Sequence, residues 1–266
     1  MNALVKTDDN PGLAKVPEVT LGFWMIKVAA TTLGETGGDA VSMSMQLGYL
    51  VSTAIFAAIF AVAVTVQIRA RHCHPALYWT TIIATTTVGT TLADFADRSL
   101  GIGYAGGSAL LLVLLLASLF AWHRALGSIS VDTVNSPRTE AFYWVTIMFS
   151  QTVGTALGDW TAGSAGLGYT GAAIVFSGLL AMIALAWYRT RASRTLLFWA
   201  AFILTRPLGA VVGDFLDKPV ADGGLALSRY AASGVLLVFI VAALLLLRPR
   251  AAAAPHNHPS ASSGKR

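Results

Sequence analysis

The sequence predicts an all-α polytopic membrane bundle: eight transmembrane helices built from four tandem two-helix units. Three observations predict it. Charged residues make up only 12% of the chain against 55% apolar ones, about half the charged share of an ordinary soluble domain. Runs long and apolar enough to cross a bilayer occur at 47–67, 103–122, 168–188 and 230–247. One spaced pattern also recurs four times along the chain.

Residues 1–18 carry Lys6, Asp8, Asp9, Lys15 and Glu18 and lack the apolar stretch of a cleavable signal. They read as a cytoplasmic segment, with the first membrane helix serving as its own uncleaved signal. The pattern is anchored on Trp24, Trp79, Trp144 and Trp199, each preceded by Phe or Tyr. Ten residues after each Trp stands Gly34, Gly89, Gly154 or Gly209, and five further on stands Asp39, Asp94, Asp159 or Asp214. Tyr49, Tyr104 and Tyr169 follow ten residues later, whereas in the fourth copy Tyr230 is delayed by a six-residue insertion around 218–224. Recurrence at a fixed spacing marks a repeat architecture. Each unit holds one segment from Trp to Asp and a second from Tyr to a basic cluster, so every unit enters the membrane in the same orientation. The Trp residues are 55, 65 and 55 apart. The longer middle interval is a polar linker, 127–139, between a first membrane half (19–126, repeats 1 and 2) and a second (140–249, repeats 3 and 4). The Ala/Pro/Ser-rich tail, 250–266, reads as disordered.

Orientation follows from the basic residues. Thirteen Lys and Arg lie before the first span, after the second segments or in the tail; only Arg98, Lys218 and Arg229 lie in the loops after the aspartates. That asymmetry predicts both termini in the cytoplasm and a multi-pass protein of the bacterial inner membrane. It places the four repeat tryptophans in the cytoplasmic aromatic belt, with Trp122 and Trp187 at the same level. It also accounts for the sequence pI of about 9.6 without nucleic acid. The single cysteine, Cys73, excludes a disulfide framework and a Cys-based zinc cage. The stretch Arg71-His72-Cys73-His74 reads as a basic loop rather than a soft-metal site.

Fifteen residues from Trp to Asp span about 22 Å of helix, against a hydrocarbon core of about 30 Å. The aspartates therefore fall near the outer edge of the membrane, at helix C-termini, where the macrodipole disfavours a carboxylate. Four repetitions of a disfavoured choice predict compensation. The steps Gly34/Gly38, Gly89/Ala93, Gly154/Gly158 and Gly209/Gly213 are small-xxx-small patterns that let helices approach closely. Beside them, on one helix face, come Lys27, Thr31, Glu35 and Asp39, then Thr86, Thr90 and Asp94, then Gln151, Thr155 and Asp159, then Arg206 and Asp214. Ionisable groups inside a membrane are costly and mark sites or ion pairs. Lys27 and Arg206 are read as coupling residues or structural ion-pair partners, with Lys27 expected to meet Glu35 or an acid of a neighbouring helix. Arg206 precedes Pro207, which predicts a kink.

Five acids against these two bases favour a cation. Carboxylates suit hard ions such as Mn²⁺, Ca²⁺ or Mg²⁺, so Glu35, Asp39, Asp94, Asp159 and Asp214 are the candidate metal ligands. Oxygens of Thr31, Thr86, Thr90, Gln151 and Thr155 would complete the shell. No His joins them, which argues against zinc or copper. Protonation of Glu35 or an Asp offers a counter-transport step. The first copy differs from the others in Glu35, replaced by Thr90, Thr155 and Ala210.

With its four Trp-x9-Gly-x4-Asp units, the chain resembles, over residues 20–248, the bacterial four-repeat integral membrane proteins catalogued as a repeat of unknown function. That resemblance implies the repeat count and the membrane topology, and no activity. Glu35-Thr-Gly-Gly-Asp39 is similar to the Glu-x-Gly-Asp signature of calcium/manganese–proton exchangers. It has one more residue between the acids, and Ala40-Val41 stand where that family has a basic residue and Thr. The similarity implies divalent cations. The expected function is a secondary transporter that exports a divalent cation such as manganese in exchange for protons. Its partners are those ions and the bilayer, with no cofactor and no nucleic acid; a homo-oligomer is left open. The alternatives are a transporter of an organic or anionic solute held by Lys27 and Arg206, and a non-transporting scaffold or sensor. An enzyme is not expected. No nucleophile–His–acid set or phosphate loop is present, and no repeat aspartate sits in the Gly-x-Gly-Asp of membrane aspartyl proteases.

Overall fold

The computed structural model describes residues 13–70, 72–99 and 103–253. Its helices are α1 (Leu21–Asp39), α2 (Gly48–Arg69), α3 (Pro75–Asp94), α4 (Gly103–Leu126), α5 (Pro137–Asp159), α6 (Gly168–Arg189), α7 (Arg194–Asp217) and α8 (Arg229–Leu247). Their starts are encoded locally. Thr20, Ser136, Ser193 and Ser228 each accept a hydrogen bond from the backbone N–H three residues on, a standard N-cap, and Pro75 and Pro137 open α3 and α5. Gly48, Gly103 and Gly168 take positive φ where the chain turns back into α2, α4 and α6, a conformation that glycine adopts without steric cost.

The first helices of the four units form a closed ring, α1 against α3, α3 against α5, α5 against α7 and α7 against α1. Each second helix packs on the inner helix of the following unit: α2 on α3, α4 on α5, α6 on α7 and α8 on α1. The sequence unit is therefore not a self-contained hairpin. Every unit is clamped by its neighbour's outer helix, and α8 closes the circle.

Among the described residues, five helices, α2, α4, α6, α7 and α8, are long and apolar enough to cross a membrane. The outer ones present Leu50, Val62, Leu116, Ile174 and Val235 outward as an apolar girdle, a larger exposed apolar surface than a soluble monomer carries. Helices α1, α3 and α5 fall short of that hydropathy because the inner ring holds their Thr, Gly and charged positions, which are buried.

Three sequence expectations change. First, the helices of units one to three do not stop at their aspartates. Each runs on through a five-residue π-helical turn, Ala40–Ser44, Phe95–Ser99 and Trp160–Ser164, while α7 continues to Asp217. The acids thus stand a turn inside the helix end, away from its unpaired carbonyls. Second, Trp79, Trp144, Trp199 and Trp122 are buried rather than ranged in an interfacial belt. They pack edge-to-face or tilted with one another and with Phe23, Tyr78, Tyr143 and Phe198: Trp79, Trp144 and Trp199 come from the inner helices and Trp122 from the outer helix α4. Of the six tryptophans expected in that belt, Trp24 is half-buried and Trp187 is exposed. Third, the tail is ordered at its start: Ala251–Ala253 form β2, antiparallel to β1 (Leu13–Pro17). Pro207 lies within α7. Residues 1–12 of the expected N-terminal segment and 254–266 of the expected tail lie outside the described residues. The linker folds back on the same end of the bundle, with Lys15 N–H donating to the Val134 carbonyl at 2.9 Å and Trp199 Nε1 to that of Ile129 at 2.9 Å. The Lys15 ammonium meets Glu140 Oε1 at 2.5 Å.

Candidate functional site

The glycines set the geometry of the ring. The glycine ten residues after each Trp lies against the side chain or backbone of the residue seven after Trp in the next unit: Gly34 on Thr86, Gly89 on Gln151, Gly154 on Arg206 and Gly209 on Thr31. A methyl group at Gly89 would stand 2.9 Å from the Gln151 carbonyl carbon, and one at Gly209 2.8 Å from that of Thr31. One turn further on, Gly38 faces Thr90, Gly158 faces Ala210 and Gly213 faces Glu35 in the same register. These contacts repeat around a pseudo-four-fold axis and turn matching positions of the four units into layers across it.

The layers run from the aromatic end to the aspartate end. The tryptophan and tyrosine layer comes first, tied by a 2.6 Å hydrogen bond between the Tyr78 and Tyr143 hydroxyls. Next is Lys27, its ammonium 4.2 Å from the centre of the Phe202 ring. Then follow Thr31, Thr86, Gln151 and Arg206; then Glu35, Thr90, Thr155 and Ala210; then the four aspartates. Every polar side chain named in these layers is buried.

Arg206 organises the centre. From α7 it reaches the layer above and touches all three other inner helices. Its Nη2 donates to Glu35 Oε2 at 2.9 Å, to Thr90 Oγ1 at 2.6 Å and to Thr155 Oγ1. Thr90 Oγ1 also donates to Glu35 Oε2 at 3.3 Å. Glu35 is therefore paired with Arg206, and the expected Lys27–Glu35 pair does not form. The guanidinium crosses from a neighbouring helix, whereas Lys27 lies two turns lower and turns onto Phe202. Thr31 donates to the Thr205 carbonyl at 3.2 Å, and Thr86 donates to that of Ala30 at 3.3 Å, so both serve the helix contacts.

At the aspartate end, two basic residues from the loops fold back over the axis. Lys218 bridges Asp214 at 3.0 Å and Asp39. Arg98 bridges Asp94 at 3.2 Å and Asp159 at 3.7 Å. The two bridges match: each base stands four residues after its own aspartate and reaches the aspartate of the next unit. Burial by itself would lower the pKa of Lys218, but Asp214, Asp39 and Asp217 outweigh it and raise it, so Lys218 stays charged. Arg98 is further held by the Tyr49 and Tyr104 hydroxyls at 2.9 and 3.1 Å, which gives two of the repeat tyrosines a task. Arg229 pairs with Asp217 at 2.8 Å and lies 3.9 Å from Asp39.

The five predicted acidic ligands thus separate. One oxygen each of Glu35, Asp39 and Asp214 lies within 4.8 Å of the others, all three residues being buried. Asp94 and Asp159 are held apart from them under Arg98. Of the predicted oxygen donors, Thr90 and Thr155 stand in the Glu35 layer, and Gln151, Thr31 and Thr86 stand one layer below. The two bases assigned to orientation, Arg98 and Lys218, belong to the site and reduce the acid excess to five against four. Their signal was in the sequence: an i, i+4 acid–base spacing in the two units that share Asp-Phe-x-Asp. Among the described residues, Asp39 Oδ1, Lys27 Nζ, Arg206 Nε and Nη1, and both amide atoms of Gln151 are buried without a hydrogen-bond partner.

One family model, described as a Repeat of Unknown Function (DUF347), matches the chain four times, over residues 22–72, 77–127, 142–193 and 197–250. No curated protein and no solved structure matches it.

Proposed function

The chain belongs to the DUF347 repeat family, and on that premise we propose that it is a secondary transporter of a divalent cation, with Mn²⁺ the first ion to test. In this reading all eight helices cross the bacterial inner membrane with both termini in the cytoplasm. The inner helices α1, α3 and α5 cross despite their low hydropathy because outer helices cover them from lipid. The observation that carries the proposal is the convergence of Glu35, Asp39 and Asp214, three buried carboxylates within 4.8 Å, with an unsatisfied oxygen on Asp39. A hard cation takes carboxylate oxygens at such a site. Lys218 then acts as a tethered counter-ion that holds Asp39 and Asp214 in the cation-free state. A divalent ion displaces it by bringing two charges in place of one, and protons returning to the carboxylates complete the exchange. Both ends of the axis are closed, by the aromatic layer and by the Arg98 and Lys218 bridges, as suits an occluded state of an alternating-access carrier.

Proteoliposomes with an imposed pH gradient test this. Wild-type protein should take up Mn²⁺ and discharge the gradient, and Glu35→Gln and Asp39→Asn should each abolish both. Absence of flux in the wild type, or flux untouched by the two changes, overturns the proposal and leaves a scaffold or sensor role.

A further inference from the structure

One layer below the Arg206–Glu35 pair, the axis is supplied with donors that have no acceptor. Lys27 Nζ on α1, Gln151 Nε2 on α5, and Arg206 Nε and Nη1 on α7 are all buried and unbonded. They come from three of the four inner helices and from adjacent layers of the same axis. Charge gives the same direction. With Lys27 protonated, Lys27 and Arg206 bring two positive charges to this level against one negative charge from Glu35, an excess of one at this level. The Phe202 ring covers one side of the ammonium, an attraction far weaker than a counter-ion supplies. An isolated buried ammonium finds a counter-ion or gives up its proton.

We propose that Lys27, Gln151 and Arg206 form a binding site for a small monovalent anion, a halide or a single carboxylate group. One such charge neutralises the level. The ammonium, the amide and the free edge of the guanidinium supply donors from three inner helices, and the close Gly89–Gln151 and Gly154–Arg206 contacts restrict the ligand to few atoms. The site lies on the aromatic side of the Glu35 layer and does not depend on the cation reading.

The test is the melting temperature of the full-length protein in detergent, followed by its tryptophan fluorescence, as sodium gluconate is replaced by sodium chloride or sodium acetate at constant ionic strength. Wild-type protein should show a saturable rise of several degrees with at least one of these anions. Lys27→Met should melt higher than wild type in gluconate, because its unpaired charge is gone, and should lose the anion dependence. Gln151→Leu should shift the saturation midpoint at least tenfold, and it carries the test if Lys27→Met does not fold. A wild-type melting temperature indifferent to both anions, or variants that keep the wild-type dependence, overturns the proposal. Loss of Mn²⁺ flux with anion dependence intact counts against the cation reading alone.

Discussion

Replacing Arg206 tests whether one guanidinium holds the centre of the ring. Arg206→Met removes hydrogen bonds to Glu35, Thr90 and Thr155 on three different helices. It leaves the Glu35 carboxylate buried with only the Thr90 hydroxyl, 3.3 Å away, in hydrogen-bond reach. Removing one partner of a buried ion pair costs about 3–5 kcal/mol, because the remaining charge is uncompensated. Glu35→Gln should cost about 3 kcal/mol by the same reasoning, since Arg206 keeps its charge and loses its acid. The double variant carries neither charge. It should lose the two threonine contacts, at about 1 kcal/mol each, or about 2 kcal/mol in all. Independent effects would sum to about 6–8 kcal/mol, so the double-mutant cycle should return a coupling on the order of 4 kcal/mol. Denaturant unfolding in micelles, read by tryptophan fluorescence, measures all four corners. Single variants that each cost less than about 1 kcal/mol, or a double variant as unstable as the sum, would refute the assignment of Arg206 as the hub.

Gly89→Ala should destabilise the bundle by about 1–3 kcal/mol, since its methyl group meets Gln151 and Thr152 backbone within about 3 Å. Gly178→Ala on α6 meets nothing within 4 Å and should be neutral or stabilising by up to about 1 kcal/mol; equal melting of the two variants would contradict the ring packing. Lys218→Met should tighten Mn²⁺ binding at least tenfold in calorimetric titration, because a unit charge about 4 Å away at an effective dielectric near 20 is worth about 4 kcal/mol and each tenfold needs about 1.4. Unchanged or weaker binding would remove Lys218 as the competing cation. Cys73 lies in the connection between α2 and α3, where burial pushes its thiol up to about 11. Its maleimide labelling should therefore be slow at pH 7 and rise about tenfold per pH unit to pH 9 as the thiolate fraction grows. In intact cells a membrane-impermeant maleimide should leave it unlabelled, and labelling from outside would reverse the proposed orientation.

The repeat made much of this architecture legible. A spacing of fifteen residues from Trp to Asp is enough to align Lys27, Arg206, Glu35 and the aspartates into successive levels, because all four inner helices share one register. The spacing carries no information on which outer helix covers which inner one, and α2 belongs to α3 by contact although it follows α1 in sequence. Trp79 and Trp144 illustrate a second gap. An aromatic residue near a helix end suits an interface or a core equally, and only the ring closure decides for the core. The Lys27–Glu35 expectation failed for a related reason. Spacing along one helix cannot see Arg206 arriving from α7 with a longer reach and a better fork for a carboxylate. A count of loop charges uses Arg98 and Lys218 for orientation alone and does not show that their i, i+4 relation to Asp94 and Asp214 folds them back over the axis.

The asymmetry of the ring bears on function more than its symmetry does. Packing repeats four times: the same glycine meets the same partner position at every junction, and nothing in that contact requires a charge. Charge repeats only twice, through Asp94–Arg98–Asp159 and Asp214–Lys218–Asp39, which relate the two halves of the chain. At the centre it does not repeat at all. Thr31, Thr86 and Gln151 match Arg206, and Thr90, Thr155 and Ala210 match Glu35, so the fold is compatible with neutral residues at both levels. Lys27 likewise stands where the other units carry Ile82, Ile147 and Phe202. All three departures fall on α1 and α7, the junction where the fourth unit closes on the first, and that junction also gathers Glu35, Asp39 and Asp214. The half-related pairs differ in one further respect. Arg98 is a planar fork held by two tyrosines, whereas Lys218 is a single ammonium on a flexible stem at the end of α7. The first is suited to fasten and the second to be displaced. A scaffold that needed only to assemble could keep four equivalent junctions; this chain places Lys27, Glu35, Arg206 and the Lys218 bridge at one of them.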